Sequence, residues 1–566
     1  MSRIIPAILF VVILVAGCQP TPQEETSVSS NAVAATAHPL ATEVARDVLA
    51  RGGNAADAAV AAGFALAVVE PSMSHLGGRI QILVRTPDGR YQGYNGMTEV
   101  PAGYAPPEEQ VDQGYGVIAT PGVVAALDRL HREHGALPWQ ELLREPARIA
   151  REGYALLPGA AARHETGLEL FKDNPGFQQV FIEADGTAFD AGDLIAQPVL
   201  AGTIERLAEH GAGDFYTGEI AQAIAVDMAR NDGHVTAADL AAYEVLDGRN
   251  ITTTYRDYEV HTLAAPAGGG LVVKTLNILE NFDLSTLTES QWAAVVNQAL
   301  AIAINSMDED RAELDLDQVA DKGWAAEQAG SIKVPPATQE VSDLDTSPSE
   351  MLSASATDWS GSNWGPDSHH TTHFTIADCD GGVVSITQTV GPLFGSRVIT
   401  PELGFVYATT MGTYLSEADQ VPGARPRTTI APTIVTRDGE VVLALGAAGG
   451  IRILSAIVQT ISRYVDQGHD AEAAVALPRV HPERITSESG EYTTHGDKIN
   501  LEMTPERGWS DEIQAALTAA GFEVLPIEQH ASFGRVHLVA QRDGAWHGVP
   551  DLDWEGTAAA ASCGTR

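Results

Sequence analysis

Two alternating strand-like runs, 372–377 and 383–389, meet across Asp380-Gly381-Gly382, which is hairpin turn chemistry. The preceding stretch, 334–367, is poor in core residues and rich in Ser, Asp and Pro, so it reads as a loop. Thr371 therefore stands at the first residue of a strand, behind a segment that can be cut without tearing a core element. The runs 429–435 and 440–445 repeat the pattern around Asp438-Gly439, and a helix is expected over 453–466. Upstream, 41–69 has helical periodicity with a break at Gly52-Gly53-Asn54, where Asn54 can cap the second helix. Runs 80–84 and 91–94 form a second hairpin candidate turning at Pro87-Asp88-Gly89. Residues 255–263 read as a strand and 272–279 as a helix. Strands as a rigid platform covered by helices imply an α/β (α+β) two-sheet sandwich with outer helix layers.

The residues at the cut point carry chemistry. They read His369-His370-Thr371-Thr372-His373-Phe374, followed by Thr389 and later Gly449-Gly450. A threonine hydroxyl is a poor nucleophile and needs a base. A backbone break before Thr371 frees an α-amino group within reach of its own Oγ. At pH 7 roughly 10–17% of such an amine is neutral, against well under about 0.1% of an ordinary lysine. One cut thus supplies nucleophile and base together. The histidines suggest metal binding as a competing reading, but adjacent strand residues point to opposite faces. No zinc spacing is present and no cofactor is expected. The glycine run 446–450 lacks the Gly-Lys-Ser/Thr ending of a phosphate loop.

The net charge is -41, and lysine occurs only at 172, 274, 322, 333 and 498. Such a surface repels nucleic acid and anionic lipid, which excludes polyanion partners. The N-terminus reads as an export signal: Arg3, then an apolar run 4–15 too short to span a bilayer. It ends Val15-Ala16-Gly17-Cys18, which resembles a bacterial lipoprotein signal with Cys18 as the lipidated residue; an ordinary secretory cleavage site is the alternative. Gln19 slightly favours the outer membrane. The expected organisation is a signal over 1–18, a flexible polar tether over 19–37 and a folded region from about His38. Cys379, in a strand-like run, reads as a small core residue. No partner for Cys379 or Cys563 follows from the sequence.

Several separated motifs occur in one order: Ala41-Thr42-Glu43, Gly52-Gly53-Asn54-Ala55-Ala56-Asp57, Val68-Val69-Glu70-Pro71, Thr120-Pro121-Gly122-Val123, Leu137-Pro138-Trp139, Asp239-Leu240-Ala241-Ala242-Tyr243, Thr371-Thr372-His373-Phe374, Phe394-Gly395-Ser396, Ala431-Pro432-Thr433 and Gly449-Gly450. Over about 38–550, with a poorly matching stretch at 308–367, the chain resembles the γ-glutamyltransferase (glutathione hydrolase) family of N-terminal-nucleophile hydrolases. The resemblance implies a four-layer αββα sandwich and self-cleavage between His370 and Thr371. A large chain 38–370, behind signal and tether, and a small catalytic chain 371–566 would result. Thr371 would form an acyl-enzyme with an amide substrate and pass the acyl group to water or an amine. Thr389 matches the threonine that bonds the nucleophile, Gly449 and Gly450 the oxyanion donors, and Thr428 and Thr429 two serines near the substrate carboxylate; a pair of turn threonines is the alternative there.

The departures concern the substrate. Met97 replaces the arginine that holds the γ-glutamyl α-carboxylate in the resembled family. The run Ala408-Thr409-Thr410-Met411-Gly412-Thr413 lacks the carboxylate that clamps the α-amine. Gly391 stands where many members have asparagine, and the glycine-rich loop reads His75-Leu76-Gly77-Gly78-Arg79. Arg79, Arg397 and Arg427 are the replacement cations on offer. The leading expectation is a self-processing periplasmic amidohydrolase acting on γ-glutamyl amides such as glutathione. The second is the same mechanism on another acyl amide, as in cephalosporin-acylase-like relatives; the third is an inactive binding lipoprotein. The expected partners are a small amide or peptide substrate and the two chains of one precursor. Membrane contact would be made only through the N-terminal lipid.

Overall fold

The computed structural model describes residues 28–306, 315–337, 369–415, 419–486, 492–504, 507–551, 553 and 555–563. The signal, Cys18, Gln19 and most of the loop at 334–367 lie outside the described residues. Fourteen strands build two seven-stranded sheets. They are β1 (Val28–Ser30), β2 (Ala32–Thr36), β3 (Arg79–Arg85), β4 (Tyr91–Gly96), β5 (Leu246–Asp247), β6 (Asn250–Tyr255) and β7 (Tyr258–Leu263). After the chain's midpoint come β8 (His369–Ala377), β9 (Val383–Pro392), β10 (Thr433–Arg437), β11 (Glu440–Leu445), β12 (Leu538–Arg542), β13 (Ala545–Val549) and β14 (Thr557–Ala561). The first sheet runs β14-β2-β8-β9-β3-β4-β5, the second β1-β13-β12-β11-β10-β7-β6.

Three packed layers of side chains define the sandwich. Val33, Ala35, Leu83, Ala377 and Val383 of the first sheet meet Leu263, Ile434, Ala444 and Val539 of the second. On the other face of the first sheet, Ala32, Ala34, Phe374, Ile376 and Ile386 pack under α1 (Pro39–Ala50) and α2 (Ala55–Val69). The second sheet is covered by α3 (Gly269–Leu279), α4 (Glu289–Asn305) and α5 (Arg452–Val465). The result is the αββα order. Strands buried on both faces need apolar residues on both, which explains why β2 and β3 are buried throughout. Helix α2 is apolar around its whole circumference and all of it is buried. Asn54 and Asp57 close a capping box at its start, with bonds of 3.0 and 3.1 Å.

Five expectations need correction. The tether assigned to 19–37 contains β1 and β2, and β2 lies inside the first sheet between β14 and β8. Its Ala-rich composition suits a strand between tightly packed layers as well as it suits a spacer. The strand at the cut point begins at His369, so Thr371 is its third residue. Residues 255–263 are the end of one hairpin strand and all of the next, turning at Arg256 in the left-handed region, φ 57°. The strand expected from 429 begins at Thr433. Cys379 is exposed in the β8–β9 turn and bonded to Cys563, just past β14. That disulfide spans 184 residues, so the sequence carries no local sign of it.

Chain order within the sheets matters for a cut at 370/371. In the first sheet β2 sits between small-chain strands, and β3–β5 continue the sheet beyond β9; in the second, β1 and β7-β6 flank four small-chain strands. Cleavage would leave each half completing the other's ladders.

Candidate active site

Alternation along β8 places Thr371, His373 and Thr375 on the inner, inter-sheet face and Thr372, Phe374 and Ile376 toward the helices. The bonds agree. Thr372 Oγ donates to Glu70 at 2.6 Å beneath α2, while Thr375 Oγ donates to the His537 carbonyl of the other layer at 3.0 Å. His373 bonds the hydroxyls of Thr387 and Thr375 at 2.8 and 2.9 Å. Burial, then the neighbouring His537, push its pKa well below the ordinary histidine value. It is thus a neutral, hydroxyl-bonded core residue. Among the described residues, no cluster of three or more His, Cys, Asp or Glu is placed to hold a metal ion.

The β8–β9 ladder pairs His370 with Gly391 and Thr372 with Gln388, so two residues of β9, Thr389 and Val390, oppose Thr371. Such a bulge re-aims side chains. Thr371 and Thr389 are both buried, and Thr371 Oγ donates to Thr389 Oγ at 3.2 Å. Thr389 Oγ donates in turn to the His370 carbonyl at 2.5 Å and accepts the Gly391 N–H at 2.9 Å. One hydroxyl therefore touches both Thr371 Oγ and the carbonyl that precedes it. It can take up the Thr371 proton and polarise the carbonyl that Thr371 Oγ would attack. Thr389→Ala is expected to slow self-cleavage by about 10²–10⁴-fold and Thr389→Ser to retain most of it. The check is a time course of intact mass under denaturing conditions; wild-type cleavage in the alanine variant contradicts the assignment.

Gly449 and Gly450 follow a two-residue strand, Ala447–Ala448, that pairs with Arg535–Val536. Both have positive φ, 131° and 61°, a conformation that suits glycine. They lead into the N-terminus of α5, with Arg452 N–H bonding Gly449 O and Ile453 N–H bonding Gly450 O. Their own N–H groups have no acceptor among the described residues. The segment crosses the inner face of β8: a Cβ on Gly446 would lie 2.4 Å from the His373 ring, two residues from Thr371. Thr429 Oγ donates to the Gly450 carbonyl at 2.7 Å and so orients that peptide. Thr428 serves its own turn, accepting Ile430 N–H at 3.2 Å, and lines a small neighbouring cleft with Arg427 and Pro266.

Of the three candidate cations, Arg79 is the one beside the threonines. It is the ladder partner of Thr389 on β3 and is 1% exposed. Arg397 bonds Gln113 and Arg427 lies at the cleft. Met97 follows the Ile80–Gly96 pair, one strand farther from Thr371 than Arg79. The sequence reading did not find Tyr414, whose ring lies under the Arg79 guanidinium with 4.6 Å to its centroid. A 335-residue separation hides that contact, although the register of β3 on β9 is foreshadowed by their matching apolar runs.

Comparison with known proteins gives one consistent result. A family model described as gamma-glutamyltranspeptidase matches residues 41–561. The chain is 28% identical over 550 residues to the glutathione hydrolase proenzyme of Escherichia coli, covering 90% of this chain and 88% of that one. It is also 28% identical to the acylase ACY 1 proenzyme of a Pseudomonas strain, with 96% of both chains covered. Among solved structures, cephalosporin acylase from Bacillus halodurans superposes with a TM-score of 0.80 at 25% identity, covering 98% of this chain and 100% of that one.

Proposed function

Because the chain belongs to the gamma-glutamyltranspeptidase family of N-terminal-nucleophile hydrolases, we propose that it cuts itself between His370 and Thr371 and then uses Thr371 to transfer an acyl group. The observation that carries this is the Thr389 hydroxyl, bonded to both the nucleophile and the preceding carbonyl. Thr371 Oγ adds to the His370 carbonyl carbon, the C–N bond breaks, and the hydroxyl proton ends on the departing nitrogen. Water hydrolyses the ester. The small chain then begins with Thr371 and its free amine. That amine takes the Oγ proton as Oγ attacks the substrate amide, and the leaving amine carries the proton away. Water or an acceptor amine then releases the acyl group. The N–H groups of Gly449 and Gly450 stabilise the oxyanion, each worth about 10²–10³ in rate.

On the first reading the acyl donor is a γ-glutamyl amide such as glutathione, in keeping with the glutathione hydrolase relatives. A second reading, a non-glutamyl acyl amide, is favoured by Met97, by the absence of a carboxylate over 408–411, and by the acylase relatives. The protein is exported and held at the periplasmic face of a bacterial membrane, the outer one favoured, through lipid on Cys18. The Cys379–Cys563 disulfide supports export, since such bonds persist in oxidising compartments.

Intact mass with N-terminal sequencing should give two fragments, one starting at Thr371. A folded, uncut, inactive chain would overturn the proposal in favour of a binding lipoprotein. Turnover of dicarboxylic acyl amides but not γ-glutamyl-p-nitroanilide would remove the glutamyl reading. Fatty-acid labelling of the full-length protein, abolished by Cys18→Ala, checks the anchor.

A further inference from the structure

Arg79 is a buried charged group with no ion-pair partner among the described residues. It is fully buried, and its Nη1 donates to the Thr409 carbonyl at 2.7 Å while its Nη2 donates to the Tyr414 hydroxyl. Its Nε–H has no hydrogen-bond partner among the described residues. No carboxylate among the described residues forms an ion pair with it. Burial pushes its pKa down, and only the Tyr414 phenol works against that. An unpaired buried guanidinium costs several kcal/mol by general estimates, and proteins retain one where a ligand completes it. Two other buried arginines are paired with carboxylates: Arg479 and Arg507 both face Asp551 and Glu502.

The position says what the missing anion belongs to. Thr371, Thr389 and Arg79 stand in one row on the inner face, on three adjacent strands. Strands lie about 4.8 Å apart, so the backbones at Arg79 and Thr371 are about 10 Å apart across β9, a span that the arginine side chain and a short acyl chain can bridge together. Gly391 keeps the way open: a Cβ there would lie 3.1 Å from Arg79 Nη2. In the uncut chain His370 pairs with Gly391, beside Arg79. Cleavage releases His370 from Thr371 and frees that strip for an acyl group.

Resting on the amidohydrolase function above in its second reading, a non-glutamyl acyl amide, we infer that Arg79 binds the carboxylate of the acyl donor, and that the site prefers dicarboxylic monoamides lacking an α-amine. Glutaryl and γ-glutamyl groups carry the same terminal carboxylate and differ only in the α-ammonium. That ammonium would meet a guanidinium that has no ion-pair partner among the described residues to offset the repulsion. A planar guanidinium binds a carboxylate through paired, charge-assisted hydrogen bonds, so its loss should be selective for charge.

The test uses the processed two-chain enzyme and three p-nitroanilides: glutaryl, γ-glutamyl and butyryl. Wild type is expected to favour glutaryl over butyryl by roughly 100-fold in kcat/KM, mainly through KM, and over γ-glutamyl by at least about 10-fold. Arg79→Met should collapse the glutaryl-to-butyryl ratio to near one, with Arg79→Lys intermediate. A ratio unchanged by Arg79→Met overturns the anchor. A wild-type preference for γ-glutamyl overturns the exclusion of the ammonium while leaving the amidohydrolase function standing. If the variant does not process or fold, the wild-type glutaryl-to-butyryl ratio decides: a ratio near one overturns the inference. No turnover of any of the three by a chain that has not freed Thr371 would instead count against the function itself.

Discussion

Thr371→Ala is expected to yield a single uncut chain with activity down on the order of 10⁵–10⁶-fold, because in the proposed mechanism one substitution removes both the cut and the nucleophile. The wild-type halves should separate only under denaturing conditions, since each sheet contains strands from both sides of residue 370. Native gel filtration should therefore give one peak for both proteins, and denaturing mass spectrometry one fragment for the variant against two for wild type. Thr371→Ser should still cut and turn over, more slowly, because a serine hydroxyl can reach the same Thr389 Oγ. A cut or active alanine variant would show that Thr371 is not the nucleophile. The Thr389–His370 contact of 2.5 Å would then be ordinary bulge geometry.

The largest stability effect is expected at Asp551. Its buried carboxylate accepts Arg479 Nη2 and Val536 N–H at 2.9 and 2.8 Å, as well as Arg507 Nη2. Asp551→Asn leaves two buried guanidiniums with Glu502 as their remaining ion-pair partner among the described residues and should cost about 3–5 kcal/mol. Urea unfolding read by circular dichroism measures it. Activity should fall too, because Val536 pairs with Ala447 at the base of the Gly449-Gly450 segment. Burial by itself would raise the Asp551 pKa. The Arg479 and Arg507 charges and two backbone N–H bonds overcome that and hold it well below the carboxylate range. A depressed carboxylate stabilises fully above its unfolded value of about 3.9 and loses that contribution as pH falls below it. The wild-type stability curve should drop on the acid side of pH 4, and the Asn variant should show a shallower drop. Identical acid limbs would assign the loss to other carboxylates.

Local chemistry carried much of the site. Thr371 and Thr389 are visible because a strand pattern starts behind a loop poor in core residues, and Gly449-Gly450 because glycine tolerates a backbone that side chains rarely adopt. The hairpins at 79–96 and 369–392 were legible because alternation and Gly-containing turns are local signals. β2 was missed because a strand buried on both faces shows no alternation, and five short residues of Ala, Val and Thr look equally like a spacer. The Cys379–Cys563 pair was missed because nothing local encodes a contact across 184 residues.

The order of chemistry along the chain was set by the sequence alone: a cuttable junction, a threonine behind it, a second threonine on the returning strand, and a glycine pair later. Those are properties of nearest neighbours and of backbone conformation. The tertiary structure alone decided that the β9 bulge turns Thr389 onto both Thr371 and the His370 carbonyl. It also decided that Arg79 is the ladder partner of Thr389. Both depend on the register between strands far apart in the chain, and register is set by which side chains must be buried between layers rather than by any residue's own preference.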